Sequence, residues 1–340
     1  MTENSSHGEQ ASGTAMATAF MRALAAYDPR KEIRGNDYLA EIFLEERQKK
    51  PLKDLAIRAW VMKNKIAPGA YEFMIARTAF FDRIVEQALK ENIEQLVLPG
   101  AGYDSRPYRF KKFIQNTKIF ELYTATLIIA KAVIPAKAGI QKNTGFRVKP
   151  GMTNRIRLMS SCIDAKLTQQ RKKECLQQAD ISISEQISFV PINFEIDNLK
   201  DTLSEAGYSQ GEKTLFIWEG VTYYLSAEAV DNMLAFVKSD SPSGSSISFD
   251  YASLSNEALS ENGAKELRKH LRSQYANEPT KFGIQDGKIE TFLAERGFAM
   301  IEHLTAAEMD EKYLSMGGYS DVGRVPSLFC LVHAKEIGKK

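Results

Sequence analysis

Apolar positions along this chain follow two periods that take turns. From Tyr71 to Lys90, Phe73, Ala76, Phe80, Ile84 and Ala88 recur at helical spacing and mark one face of a long helix. Directly after it, Gln95-Leu96-Val97-Leu98 is a short continuous apolar run, the pattern of a strand buried on both faces. Similar runs at Lys118–Leu122, Ser188–Asn193, Thr214–Glu219, Ser246–Asp250 and Ser327–Val332 predict further strands. Helical stretches intervene at Thr168–Gln178, Leu199–Ala206, Ala227–Lys238 and Ile289–Glu295, and two more precede the first strand at Thr14–Ala26 and Asp37–Arg47. Strands alternating with helices predict an α/β chain with a doubly wound, mostly parallel sheet, since parallel neighbours need crossover connections. The N-terminal helices and the stretch from Tyr251 to Gly287 are expected to cover it as a helical lid.

The first strand runs into Gly100-Ala101-Gly102. A strand emptying into a glycine turn is where an open α/β sheet receives its ligand, because a Cβ there would block close approach or forbid a positive φ. A nucleotide-like cofactor fits that position. Position 105 is Ser, so the third glycine of a dinucleotide fingerprint is missing, which argues against a nicotinamide enzyme.

Composition narrows the classes. With 44% hydrophobic and 26% charged residues and a net charge of +2, the chain is an ordinary globular protein with no global pull toward nucleic acid or an anionic membrane. No apolar run approaches the length needed to span a bilayer. Residues 1–12 read as a frayed tail without a signal segment, and Cys162, Cys175 and Cys330 as reduced thiols of a cytoplasmic protein. The four histidines (His7, His270, His303, His333) form no cluster, and neither a metal-ligand spacing nor a G-x-S-x-G turn occurs. No metal is expected.

One segment departs from the rest. From Tyr123 to Ile163 there is no Asp or Glu, against seven Lys or Arg. Its phrases V-I-P-A-K-A-G-I-Q and F-R-V-K-P-G-M-T resemble translated copies of a repeat element that sits in frame inside some bacterial genes. The segment is therefore expected to be an insertion within a single domain spanning 13–340. Joining Leu122 to Asp164 restores F-E-L-D-A-K, a strand ending in an acidic pair (Glu121, Asp164) followed by a helix. A carboxylate at the tip of the second strand of such a sheet can accept ribose hydroxyls.

Four blocks, A-R-T-A-F-F-D (Ala76–Asp82), L-P-G-A-G-Y-D-S-R (Leu98–Arg106), F-E-L…D (Phe120–Leu122, Asp164) and W-E-G-V-T-Y-Y-L (Trp218–Leu225), are similar to those of leucine carboxyl methyltransferase-like, S-adenosylmethionine-dependent methyltransferases. The resemblance implies a Rossmann-like fold and S-adenosyl-L-methionine as cofactor. It further implies Arg77 on the cofactor's methionyl carboxylate, Gly100 and Gly102 against its backbone-facing side, Asp164 with Glu121 on the ribose, and Glu219 beside the reacting methyl. Where the family often has Asp-Leu beside the adenine, this chain has Asn193-Phe194, an amide that still suits an adenine edge.

The implied reaction is O-methylation of a carboxylate or hydroxyl on a small-molecule or protein acceptor. A carboxylate needs no general base, being ionised at neutral pH. No residue declares itself as a base, so no catalytic residue is assigned. Tyr223 and Tyr224 read as packing residues or as walls of an acceptor pocket. Rival readings are a non-catalytic cofactor-binding protein impaired by the insertion, and a nucleotide-dependent oxidoreductase.

Overall fold

In a computed structural model of the chain, the structure describes residues 12–124, 167–254, 281–315, 318 and 322–338, with positions 265, 267 and 269. Helix α1 (Gly13–Ala26) opens it, capped by Ser12, whose hydroxyl accepts from the Ala15 amide at 3.3 Å; residue 12 thus belongs to the helix cap, not to a tail. There follow α2 (Glu46–Lys53), α3 (Leu55–Lys65), α4 (Ala70–Lys90), β1 (Gln95–Pro99), α5 (Arg106–Arg109), β2 (Lys118–Thr124) and α6 (residues 167–178). The second half comprises β3 (Ile187–Ile192), α7 (Leu199–Glu205), β4 (Thr214–Trp218), α8 (Ala227–Asp240), β5 (Ser246–Ala252), α9 (Ile289–Glu295), β6 (Phe298–Leu304), α10 (Ala306–Met309) and β7 (Phe329–Glu336).

The seven strands form one sheet in the order β3-β2-β1-β4-β5-β7-β6. All neighbours pair in parallel except β7, which runs antiparallel to both β5 and β6. The sequence predicts a doubly wound, mostly parallel sheet, and that is the observed fold. Central strands show why they read as continuous apolar runs. In β4, Leu215 and Ile217 join the core beneath α1, α4 and α6, while Phe216 and Trp218 join the core beneath α7, α8 and α9. A helix layer on each face leaves no polar face to alternate with.

The strand order reverses between β1 and β4, so the crevice at their carboxyl ends is the expected ligand site.

Three expectations need correction. The single helix over Asp37–Arg47 is instead a short 3-10 turn (Ala40–Phe43) followed by α2. Leu44 is extended (φ −84°, ψ 149°), and the Glu45 amide donates to the Gln48 side chain at 2.9 Å, which starts a new helix. The last strand starts at Phe329, two residues later than the run suggests, and continues to Glu336. Strand β2 extends through Tyr123 and Thr124, so the first two residues after Leu122 pair with Pro191 and Ile192 instead of leaving the sheet. Residues 125–166, with Asp164 and Cys162, lie outside the described residues, as do most of 255–280 in the expected lid.

Candidate active site

The turn after β1 is shaped by its glycines and tied to the neighbouring strand. Gly100 sits at φ +73° and Gly102 at φ +44°, where L side chains are strained. A Cβ on Gly100 would also strike Val221 in the loop after β4. The Ala101 amide donates to the Leu122 carbonyl at 2.9 Å, holding the turn against the end of β2. Helix α1 lies across the turn, with the Arg22 guanidinium donating to the Tyr103 carbonyl at 2.7 Å.

Between α1 and the tips of β1, β2 and β4 lies a cavity of about 330 Å³, within the size range of small-molecule sites. Arg77, Gly100, Gly102, Asn193, Phe194 and Glu219 all line it, so the structure brings together six of the eight sequence-predicted residues. Asp164 is outside the described residues. Glu121 is absent from the lining. Its carboxylate is fully buried and receives Lys172 Nζ at 2.6 Å, Gln169 Nε2 at 3.2 Å and the Tyr108 hydroxyl at 3.2 Å. Register explains the difference: Glu121 pairs with Leu98, inside the sheet, and Pro99 pairs with Leu122, so Tyr123 is the β2 residue that reaches the level of the turn. Tyr123 lines the cavity, half-buried.

The polar wall of the cavity belongs to a network the sequence reading missed. Ion pairs run from Arg22 to Asp37, Arg109, Asp82, Arg106, Glu219, Arg77 and Asp250 in an unbroken alternation, with Asp104 branching from Arg106. Arg106 holds Asp82, Asp104 and Glu219 at 2.8, 2.7 and 2.6 Å with no exposed side-chain surface. Its partners come from the A-R-T-A-F-F-D, Y-D-S-R and W-E-G blocks, so those motifs were visible without their mutual pairing. Asp250 adds the Gly220 amide at 2.6 Å, fixing the loop after β4.

Burial works against every one of these charges, and the neighbours decide the outcome. For Asp104, burial pushes the carboxyl up but Arg106, Lys172 and Arg22 outweigh it, leaving a value of about 2. Asp82, likewise opposed by burial, is held below the ordinary range by Arg109 and Arg106. For Asp250, burial prevails over Arg77 and the value is raised. Burial disfavours the Arg77 charge, yet Glu219 and Asp250 hold it above the usual guanidinium value.

Among the described residues the network contains four arginines and five acids, leaving one carboxylate unbalanced when all are ionised. Arg77 Nε and Glu219 Oε1 lie 3.0 Å apart, but neither makes a hydrogen bond of acceptable angle. Arg77 Nη2 faces the Met74 thioether at 3.4 Å, a weak acceptor. Both residues line the cavity, while these two facing atoms are themselves buried.

A second cavity of about 350 Å³ shares Thr14, Thr18, Arg77, Tyr223 and Tyr224 with the first. Phe20, Phe73 and Phe329 supply much of its remaining wall.

The sequence profile described as Leucine carboxyl methyltransferase matches residues 15–153 and 161–238, most of the chain. The chain belongs to the leucine carboxyl methyltransferase family. Among relatives of this family, the chain is 28% identical over 245 residues to YktD of Bacillus subtilis (strain 168), named for S-adenosyl-L-methionine-dependent methyl transfer. That alignment covers 71% of this chain and 77% of YktD. A similarly named protein of Mycobacterium sp. (strain JLS) is 25% identical over 250 residues, covering 70% of this chain and 65% of the relative. A methyltransferase crystal structure from Thermobifida fusca matches the fold at TM-score 0.52 and 12% identity, covering 98% of this chain and 97% of that one. The protein is thus an S-adenosyl-L-methionine-dependent methyltransferase with a Rossmann-like sheet.

The residues present suit that cofactor. S-adenosylmethionine carries a sulfonium, an ammonium and a carboxylate, one net positive charge, which matches the unbalanced carboxylate of the network. The Arg77 guanidinium lines the cavity, and its charge suits the carboxylate.

Proposed function

We propose that this methyltransferase acts on oxygen, esterifying a carboxylate or etherifying a hydroxyl of an acceptor held in the second cavity. The observation that carries this reading is the shared wall: two cavities meet at Arg77, Tyr223 and Tyr224, one against the glycine turn and the other bounded by Phe20, Phe73 and Phe329. The cofactor, when bound, supplies an electrophilic methyl on sulfur. What remains for the protein is alignment and exclusion of water. Arg77 is the residue for the methionyl carboxylate, Gly100 and Gly102 give close access to the backbone, and Glu219 balances the sulfonium. Asn193 and Phe194 border the adenine end. Asn193 Oδ1 already accepts from the Glu195 amide at 3.0 Å, so its amide group is the part left for an adenine edge.

We also take residues 123–163 as an insertion in a single domain, as the absence of acids predicts. The family match is interrupted at 154–160, inside that segment, while its first part runs on through residue 153. Rejoining Leu122 to Asp164 puts an aspartate at the register position of Tyr123, beside the turn.

The test is calorimetric titration with S-adenosylmethionine, then an acceptor screen with isotopically labelled methyl donor. Label recovered in a base-labile ester or a stable ether supports oxygen as the nucleophile. Label on nitrogen or carbon rejects it.

A further inference from the structure

Helix α3 is built inside out. An ordinary surface helix turns an apolar stripe inward and its charges to water. In α3 the buried side chain is Arg58, whose guanidinium donates to the Leu24 carbonyl at 2.9 Å and the Tyr71 hydroxyl at 2.8 Å and lies 3.2 Å from the Asp28 carboxylate. Leu55, Ala56, Ile57, Ala59 and Trp60 face solvent instead, Leu55 at 66% and Trp60 at 55% exposure. Arg58 is the only polar residue from Leu55 to Met62, so the outward side of the first two turns is apolar without a break. Scattered exposed apolar side chains are ordinary, but a contiguous patch marks a contact surface.

Charge identifies what covers it. Residues 46–65 hold seven Lys or Arg against Glu46 and Asp54, an excess of five in a chain whose net charge is only +2. Arg58 is taken by Asp28, Lys49 by Glu46 and Arg47 by Glu45. Lys50, Lys53, Lys63 and Lys65 are exposed and form no ion pair with a described residue. They flank the apolar patch at both ends: Lys53 directly precedes the Asp54 cap, and Lys65 Nζ lies 5.5 Å from the Trp60 ring centroid. A second copy related by a two-fold axis would set these lysines against one another. Nucleic acid would use the cations but leave Leu55 and Ile57 in water. We infer that α3 docks on an anionic lipid bilayer. Leu55, Ile57 and Trp60 enter the headgroup region, where an indole with one apolar and one polar edge is suited, and the four lysines meet lipid phosphates. No helix among the described residues is long and apolar enough to cross a membrane, so α3, with 11 residues, lies in the plane of the interface.

The experiment mixes the full chain with vesicles of phosphatidylcholine, alone or in equal parts with phosphatidylglycerol, and reads partition by sedimentation and by tryptophan fluorescence. Of the two tryptophans, Trp218 is fully buried, so a spectral change on adding vesicles reports Trp60. The expected result is a blue shift, binding to the anionic vesicles about tenfold tighter than to the neutral ones, and loss of that binding as salt is raised. Leu55→Ser, which keeps the reporter, and the pair Lys53→Glu with Lys63→Glu should each weaken anionic-vesicle binding about tenfold. None of these positions lines either cavity at Arg77, so the melting temperature and the affinity for S-adenosylmethionine should stay at wild-type values. Equal partition onto neutral and anionic vesicles, partition onto neither, or wild-type partition by both variants overturns the assignment. Self-association that Leu55→Ser abolishes would give the face to a second copy, and binding of duplex DNA or RNA without vesicle binding would give the cations to nucleic acid. Either result overturns it as well.

Discussion

Two acids at strand tips of this sheet, Glu121 on β2 and Glu219 after β4, sit in similar sequence contexts and meet opposite fates. Both follow apolar runs, and both lie on the face of the sheet that packs against α1, α4 and α6. Glu219 is one residue past its strand and borders the cavity beside the glycine turn, between Arg77 and Arg106. Glu121 is two positions short of the turn and is consumed by Lys172 beneath the sheet. Here the register decides which strand-end carboxylate reaches the cavity. Residue type at the end of an apolar run does not decide this; the level of the neighbouring strand does.

The contrast can be broken most strongly from the β4 side. Arg106→Ala strips one guanidinium from three buried carboxylates, and a broken buried pair costs about 3–5 kcal/mol, so urea denaturation should show a loss of that order. On the β2 side, Lys172→Met strands one buried carboxylate and should cost about 3 kcal/mol. Its calorimetric affinity for S-adenosylmethionine should nevertheless match wild type, because Glu121 does not line the cavity. A parallel fall in affinity would restore Glu121 to the site.

Acidification probes the β4 network through its depressed carboxyls. Asp104 has a folded value of about 2 against an ordinary 3.8, so its contribution is fully present above about pH 4 and vanishes as the pH falls through 2. The Asp104 contribution to the unfolding free energy from urea titrations should hold steady down to about pH 4 and then decline by about 2 kcal/mol. Asp104→Asn should flatten that slope. Glu219→Gln should weaken S-adenosylmethionine about tenfold, equivalent to about 1.4 kcal/mol. Because S-adenosylhomocysteine lacks the sulfonium charge, its affinity should fall less; equal losses would remove charge balance as the role of Glu219.

The smallest expected effect concerns the β2 side. Deleting residues 123–163 should preserve the melting temperature and tighten cofactor binding about fivefold, the worth of one hydrogen-bonded contact of about 1 kcal/mol. Loop-closure entropy varies slowly with length, so shortening this connection is not expected to unfold the sheet. An insoluble deletion variant, or one that loses cofactor, would show that the segment is structural.

Much of this architecture was legible because burial on both faces writes itself into the chain. Strands β1 to β5 stand out as apolar runs and α4 as a helical stripe, and six of the predicted site residues converge on one cavity. What escaped notice lacked such a signal. Strand β6 carries Glu302 and His303 and a register break between Met300 and Glu302, so its apolar pattern is interrupted. Helix α3 buries only Arg58 among its residues, so no stripe marks it. Arg22 and Asp250 join the ionic network from remote positions, through α1 and β5, and a single charged residue in a helix or strand does not announce its partner. That Glu121 would be absent from the cavity lining could not be read off, because Lys172, the residue that claims it, lies 51 positions away.

The placement of β7 between β5 and β6 carries a consequence for synthesis. Neither of those strands bonds to the other; the outer edge of β5 and the inner edge of β6 pair with residues 329–336. While the ribosome is still making those residues, two rows of unsatisfied amides and carbonyls stand open, a template for association with other nascent chains. Closure of the sheet therefore comes late, and a stop codon ahead of Phe329 should yield aggregates, however complete the cofactor crevice at the other end of the sheet.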